Sequence, residues 1–501
     1  MKKNILIGGK AGQGPNILSE LVAKGLLAKG YYVFYYRDYQ SLIRGGHNFN
    51  VVSFSDKPIS SNSSSLDIFV ALDENTEKIH ASELNKNTII LKDSKENMFY
   101  AGTLFKALGI DFNVLEQELK NLKNFEKNIE QAKLGYEQEK QSLNLKTLEP
   151  KKLSFMNGSQ AVSEGAIKSG LDLYYAYPMT PATGVLMDLA QEMKNPKNKH
   201  LTIELENEIA VINAAIGSAI VGKKAMLGTS GGGFDLMTEA LSLTGIAEIP
   251  LVLYLAQRPG PATGVATYTG QGDLNMALHA GHGEFSRLVV APGTPKECIE
   301  LTSEAFYFAH KYRIPAIILS DKHVAESKYS SEGESKITES KILVKGNERF
   351  NSYEKDSEGS ATEDSELIIK NIDARKAKAK EFNKEIEKFT THKIHGKKDS
   401  KNLIVSWGST KGAIHDAIEH SDLNAKFLQI LYMEPFSKKI QAELEKADNI
   451  IVVENNATSP LSDLIRQETG VLISDKNKIL KYDGRPFTST EIENKLKGLL
   501  K

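Results

Sequence analysis

Four short stretches carry side chains whose types suit chemistry on a small anionic molecule. They are Tyr177-Pro178-Met179-Thr180-Pro181-Ala182-Thr183-Gly184, Glu206-Asn207-Glu208, Thr229-Ser230-Gly231-Gly232-Gly233 and Gln257-Arg258-Pro259-Gly260-Pro261-Ala262-Thr263-Gly264. Arg258 brings a planar guanidinium whose forked N–H geometry matches a carboxylate. Thr180, Thr183 and Thr263 bring hydroxyls at backbone-constrained positions, and the glycines allow a flat or bulky ligand close to the main chain. Taken singly, each stretch also has a plain structural reading: a stiff turn, a first-turn helix acid, a tight glycine turn, a surface cation.

The elements around them argue for a site. Each stretch follows an apolar run with strand character, over 173–177, 201–205, 225–228 and 251–255, and helical runs follow over 208–221 and 234–247. In a parallel sheet, ligands bind at the carboxyl ends of strands, beside helix N-termini. Four such loops on one edge of one sheet are hard to ascribe to coincidence. Further strands over 288–290 and 316–319 complete this unit, which begins near Met156.

Ahead of it, a strand over 4–7 leads through Gly8-Gly9-Lys10-Ala11-Gly12-Gln13-Gly14 into a helix over 17–27 and strands over 31–36, 67–72 and 88–91. That alternation predicts a parallel α/β sheet. Residues 116–146 read as a charge-laced helical connector. Residues 326–400 are dominated by Ser, Glu, Lys, Asp and Thr and read as an exposed linker without strands, with one charged helix near 373–389. A third α/β unit follows, with strands over 403–407 and 450–453. The expectation is a multi-domain α/β chain, its parallel sheets carrying helices on both faces, with domains at 1–150, 151–328 and 401–501 and a linker at 329–400.

Composition removes several classes. With 63 Lys and Arg against 64 Asp and Glu, nothing in the bulk charge favours nucleic acid or an anionic membrane. No stretch approaches the length of a membrane span and the short run Ile5-Leu6-Ile7 is no signal-peptide core, so a cytoplasmic location is expected. The single cysteine, Cys298, can neither pair internally nor hold an iron–sulfur cluster, and reads as a buried thiol. No histidine, His47 included, has metal-ligand spacing, so no metal is expected on this chain. Gly9, Gly12 and Gly14 run in the reverse order of the dinucleotide fingerprint, which argues against NAD. Asp321 reads as a helix cap, with His323 beside it.

The middle unit resembles the pyrimidine-binding domain of the pyruvate and 2-oxoglutarate ferredoxin oxidoreductases. The resemblance rests on Tyr177-Pro178-Met179-Thr180-Pro181, Glu206-Asn207-Glu208-Ile209-Ala210, Thr229-Ser230-Gly231-Gly232-Gly233-Phe234 and the Arg258 loop, in that order. Residues 1–150 resemble the family's gamma subunit, through the first glycine loop and Arg44-Gly45-Gly46-His47. Residues 400–501 resemble its transketolase-C-like domain, ending in Lys481-Tyr482-Asp483-Gly484-Arg485-Pro486-Phe487. The chain is thus similar to a gamma–alpha fusion.

The resemblance implies roles. Glu208 falls where the family has the glutamate on the aminopyrimidine of thiamine diphosphate. Glu206 lies two residues away, but Glu208 fits the pattern of an acid followed directly by a small-residue helix. Arg258 matches the arginine that pairs with the substrate carboxylate, Thr180 the threonine beside the 2-oxo group, and Thr267 a second carboxylate contact. Pro178, Ser230 and Gly231 are implied cofactor contacts, and Gly12, Gln13, Gly14 and Arg44 implied coenzyme A contacts. Met179, Gly232 and Pro259 depart from the family's usual isoleucine, proline and glycine. The Gly-Asp-Gly motif that holds magnesium and the diphosphate is missing, and Gly272-Asp273-Leu274-Asn275 echoes it only superficially. A beta subunit is therefore implied, carrying magnesium, the diphosphate site and the iron–sulfur cluster, in an (alpha-beta)2 assembly that passes electrons to ferredoxin or a similar acceptor. The implied activity is oxidative decarboxylation of a 2-oxoacid with coenzyme A to the acyl-CoA. 2-Oxoglutarate comes first, with pyruvate or a branched-chain 2-oxoacid next. The alternative class is a non-catalytic cofactor-binding subunit.

Overall fold

Ile5-Leu6-Ile7 lies wholly buried at the centre of the strand Lys2–Lys10, which anchors the first of three sheets in the computed structural model. The structure describes residues 2–40, 46–92, 96–140, 143, 145–343 and 348–500. By internal packing the chain forms two units. One holds Met1–Met156, Ser327–Glu334 and Phe487–Asn494, and the other holds Asn157–Glu326, Ser335–Pro486 and Lys495–Lys501.

The sheet of the first unit is mixed, not wholly parallel as the alternation predicts. Lys2–Lys10 runs parallel to Ile68–Ala71 but antiparallel to His47–Ser55, which pairs antiparallel with Tyr32–Asp38. His47–Ser55 starts His47-Asn48-Phe49-Asn50, too polar to read as a strand, and its insertion breaks the parallel order. The glycine loop is also shorter than expected, because Gly8 and Gly9 belong to the strand. A Cβ on Gly8 would stand 2.5 Å from the Thr76 methyl carbon, so only glycine fits that close approach. The expected connector contains two helices, Phe112–Leu119 and Phe125–Gln138. The second packs backbone to backbone on Asn97–Ala107: a Cβ on Gly102 would meet the Ala132 carbonyl oxygen at 1.8 Å.

The second unit holds two sheets. In the larger, Leu288–Val290, Pro315–Asp321, Leu251–Gln257, Ala225–Thr229, Leu173–Ala176 and Leu201–Glu204 are parallel neighbours in that order, with Tyr432–Glu434 antiparallel at one edge. Helices lie on both faces, as the period-2 alternation of a strand requires. Leu251, Leu253 and Leu255 join the core of Val211, Ile212 and Leu241 from the helices Glu208–Ile220 and Thr238–Ile246. Tyr254 between them faces the side of Cys298, a fully buried thiol on Pro295–Tyr312. The smaller sheet orders His392–Gly396, Lys426–Ile430, Asn402–Trp407, Asn449–Glu454 and Lys478–Leu480, with only the first antiparallel.

The region read as a strandless linker is therefore corrected: Lys328–Glu332 joins the first unit's sheet and His392–Gly396 the last. Both are polar by composition and lie at or near sheet edges, where apolar content is a poor guide. The charged helix spans Ser365–Ile386, capped by Asp364, whose carboxylate accepts from Glu366 N and Leu367 N. One buried carboxylate joins the two sheets of this unit. Glu297 accepts from Lys393 and Lys411 Nζ at 2.7 and 2.8 Å, from Gln429 Nε2 at 2.8 Å and from Gly293 N at 2.9 Å. Burial pushes its carboxyl up, but Lys411 and Lys393 outweigh burial and hold it well below the usual carboxylate range. Among the described residues no helix is long and apolar enough to cross a membrane.

Candidate active site

The carboxyl ends of four neighbouring parallel strands, Leu251–Gln257, Ala225–Thr229, Leu173–Ala176 and Leu201–Glu204, deliver the four stretches to one sheet edge. Asn207 caps the helix Glu208–Ile220, its side-chain oxygen accepting from Ala210 N at 2.9 Å. That cap makes Glu208 the first helical residue and turns its side chain inward, only 3 % exposed, while Glu206 stays in solvent. Oε1 of Glu208 is buried and accepts no hydrogen bond, and Ser230 Oγ is buried in the same unpaired condition. An unpaired buried polar atom costs on the order of 1–3 kcal/mol, so these two together mark a candidate site for a polar ligand at this sheet edge. Gly233 makes the placement possible: a Cβ there would stand 2.5 Å from Glu208 Oε1 and 2.1 Å from Thr229 Oγ1. The sequence marked Gly233 only as one of three glycines.

Arg258 is half-buried and donates from Nη1 to the Thr180 carbonyl oxygen at 2.8 Å, which ties the two proline-rich loops together. It is the Thr180 main chain, not its hydroxyl, that makes this bond. Burial lowers the Arg258 guanidinium from its ordinary value, and Asp273 opposes that shift. Asp273, set aside in the sequence as an echo of a metal motif, turns out to sit at this edge. Its N–H donates to Gln257 Oε1 at 2.9 Å, and its Oδ2 would lie 2.6 Å from a Cβ added to Gly231. Burial, then Asp235, push its carboxyl up to about 6, with Arg258 opposing. No local sequence signal reveals this, because Asp273 is brought to Gly231 and Gln257 only by the fold.

The remaining residues spread around this centre. Pro178 and Thr263 are exposed, and Thr183 opens the helix Thr183–Glu192. Pro259 closes a tight loop: its carbonyl accepts from Val265 N at 3.0 Å, and Gly264, at φ +52°, passes so near that a Cβ would collide with that oxygen. Thr267 is buried further along, next to a segment braced by the smaller sheet. There Thr269 N donates to Gly484 O at 3.0 Å, and the Arg485 guanidinium lies 3.8 Å from the Tyr268 ring centroid. Gln271 Nε2 donates to Trp407 O at 3.0 Å and Gln271 Oε1 accepts from Asn455 N at 2.8 Å. The Gln271 main chain donates to Asn455 O at 2.8 Å and accepts from Asn456 Nδ2 at 2.9 Å.

Asp321 acts as the expected cap, accepting from Val324 N at 3.1 Å, and also receives Thr269 Oγ1 and Ser409 N. His323 is buried, and burial lowers it to about 3, which keeps it neutral.

The first unit's candidates do not join this group. Gly12 is at φ +92° with open space around its Cα, and Gly14 at φ +82° backs onto Asn97. Gln13 spends both ends of its amide on the turn, accepting from Lys10 N at 2.6 Å and donating to Leu72 O at 3.1 Å. Arg44 lies outside the described residues. His47 Nε2 sits 2.9 Å from His80 Nε2, and no set of three metal-ligating side chains gathers among the described residues.

Residues 4–97 match the family described as pyruvate ferredoxin/flavodoxin oxidoreductase, and residues 164–400 match the one described as pyruvate flavodoxin/ferredoxin oxidoreductase, thiamine diphosphate-binding. A 2-oxoacid:ferredoxin oxidoreductase subunit alpha from Sulfolobus sp is 29 % identical, across 100 % of this chain and 97 % of its own length. The 2-oxoglutarate synthase subunit KorA of Archaeoglobus fulgidus is 30 % identical over 63 % of this chain and 91 % of its own length. A solved 2-oxoglutarate:ferredoxin oxidoreductase from Magnetococcus marinus, with 2-oxoglutarate, coenzyme A and succinyl-CoA bound, superposes at a TM-score of 0.89 with 24 % identity and full coverage of both chains, a likeness of fold.

Proposed function

Because this chain belongs to the family of 2-oxoacid:ferredoxin oxidoreductase alpha subunits, and so is part of an oxidoreductase, we propose that it supplies the aminopyrimidine and substrate half of a thiamine-diphosphate site. The observation that carries this is the orphaned Oε1 of Glu208, buried at the strand ends with Ser230 Oγ equally unpaired. A carboxyl group and a hydroxyl are the partners an aminopyrimidine edge needs, so the residues present fit the group. When bound, thiamine diphosphate supplies a carbon nucleophile and an electron sink for decarboxylation.

The chain's own residues divide the remaining work. Glu208 would present its carboxyl to the aminopyrimidine ring and so fix which pyrimidine nitrogen is basic. Ser230 and the bare main chain at Gly231 position the ring, and Pro178 borders it. Arg258, already aimed by the Thr180 carbonyl, takes the carboxylate of the 2-oxoacid, and the Thr180 hydroxyl polarises the 2-oxo oxygen. Thr267 offers a second contact to a dicarboxylic substrate.

The reaction we favour is oxidative decarboxylation of 2-oxoglutarate with coenzyme A to the acyl-CoA, CO2 and a reduced ferredoxin-type acceptor. The relatives named for 2-oxoglutarate support that acid over pyruvate or a branched-chain one. Magnesium, the diphosphate and the iron–sulfur cluster belong to a beta subunit in this reading, since this chain's single cysteine cannot supply the thiolates of a cluster. Gly12 and Gly14, with Arg44, remain candidates for coenzyme A, Gln13 serving to hold their turn.

The test is Glu208→Gln in the assembled enzyme. Turnover should be lost while subunit assembly and thermal unfolding stay as in the wild type. Wild-type turnover in that variant would refute the role. A substrate panel on the same assembly decides the acid.

A further inference from the structure

The edge of the larger sheet opposite the candidate active site carries a buried cation without a counter-ion. Arg287 stands immediately before the strand Leu288–Val290, which runs parallel to Pro315–Asp321, so it lies at the amino ends of the strands. It is only 7 % exposed. Among the described residues its guanidinium makes one hydrogen bond, from Nη1 to Ala277 O at 3.3 Å, and no ion pair, and it lies 4.5 Å from the Phe285 ring centroid. An arginine this buried is almost always paired, because taking its charge out of water is costly. The loop that ends in Arg287 is fixed in place. Phe285 seats on Gly245, where a Cβ would collide with its ring, and His282 N donates to Ser242 Oγ at 2.8 Å, which ties the loop to the helix Thr238–Ile246. Arg287 opens onto a cavity of about 670 Å³ that it shares with Glu434, Glu284, Gln467, Leu278 and Leu464. Glu434 comes from the neighbouring strand Tyr432–Glu434, in register with Val289, yet among the described residues no ion pair joins it to Arg287. Leu464 and Gln467 come from the helix Pro460–Thr469, which follows a strand of the smaller sheet.

One cation and two acids around one space suit neither a bare anion nor a bare amine. A phosphate or a simple carboxylate would meet Arg287 but face Glu434 and Glu284, and an amine would do the reverse. We propose that this cavity is a second ligand site, for an α-amino acid with an apolar side chain, which sets its carboxylate on Arg287, its ammonium on Glu434 and its side chain against Leu278 and Leu464. The guanidinium fork takes a carboxylate through two parallel N–H bonds, and it is already aimed by Ala277 O and the Phe285 ring. The site lies away from the strand ends that carry Glu208 and Arg258, so it does not depend on the roles given to them. A ligand there touches both the edge of the larger sheet and the helix Pro460–Thr469, and it stabilises the folded unit as its concentration rises.

The experiment titrates the assembled enzyme with L-leucine by calorimetry and follows thermal unfolding at rising leucine concentration. Saturable binding and a rising unfolding temperature are expected. 4-Methylpentanoate and 3-methylbutylamine each lack one of the two charged groups and should bind at least about tenfold more weakly. Arg287→Gln should weaken leucine binding by about thirtyfold or more, the usual loss when a buried charge is left without its partner. Glu434→Gln should weaken it by about tenfold or more. Arg258→Gln, at the other edge of the sheet, should leave it unchanged. The proposal is overturned if the wild type shows no saturable binding up to about 10 mM leucine, or if 4-methylpentanoate binds as well as leucine. Loss of binding in Arg258→Gln with wild-type affinity in Arg287→Gln would place leucine in the substrate site and also overturn it. Should Arg287→Gln fail to fold, wild-type affinity in Glu434→Gln has the same force.

Discussion

At the scale of single side chains, two unsatisfied atoms and one committed cation mark the proposed site. Glu208 Oε1 and Ser230 Oγ have no partner, whereas Arg258 already spends one N–H on Thr180 O. That prior commitment orients the guanidinium before any ligand arrives, which reduces the ordering cost of binding. Truncation to Arg258→Ala should therefore raise KM by the equivalent of about 2–5 kcal/mol, the usual cost of leaving a buried substrate charge without its partner. Steady-state kinetics read this, and a KM within twofold of the wild type would assign the carboxylate to another group. Residue type and order make Glu208, Thr180 and Arg258 candidates, because a carboxylate fork and a first-turn acid have recognisable chemistry, and the structure brings their loops to one sheet edge. They do not point to Asp273, which the fold alone brings beside Gly231 and Gln257. At Gln13 the structure adds what the sequence does not carry, that its amide bonds Lys10 N and Leu72 O.

At the scale of elements, glycine positions set how closely the pieces approach. Gly233 is the example nearest the chemistry. Gly233→Ala should push the Glu208 carboxylate from its place and lower turnover by more than an order of magnitude, with overpacking costing about 1–3 kcal/mol of stability. Activity assays with denaturant unfolding check this, and full activity would mean Glu208 can shift without consequence. The strands that carry the site were legible because runs such as Leu251-Val252-Leu253-Tyr254-Leu255 are apolar on both faces, as strands covered by helices must be. Lys328–Glu332 and His392–Gly396 were not, since their polar residues meet the strand's needs through pairing and partial exposure. His47–Ser55 was hidden by its polar start, and with it the antiparallel step in the first sheet. Local pattern thus reports elements whose burial is local in origin and misses those recruited by a neighbour.

At the scale of the whole molecule, the larger unit joins its two sheets through polar contacts as well as a shared apolar core. Glu297 gathers two lysines, Gln429 and Gly293 N on one buried carboxylate. Glu297→Ala should cost about 3 kcal/mol, the low end for a broken buried ion pair because Lys393 reaches solvent. Chemical denaturation would detect it, and a loss under about 1 kcal/mol would mean the lysines simply rehydrate. Gln271 carries a consequence of another kind. All of its hydrogen-bonding groups except one amide hydrogen are engaged by Trp407, Asn455 and Asn456, so the chain that follows Arg258 is stitched to the smaller sheet at its far end. The segment around Gln271 and the strand ends of the smaller sheet are bound into one piece, so a displacement of either is carried to the other.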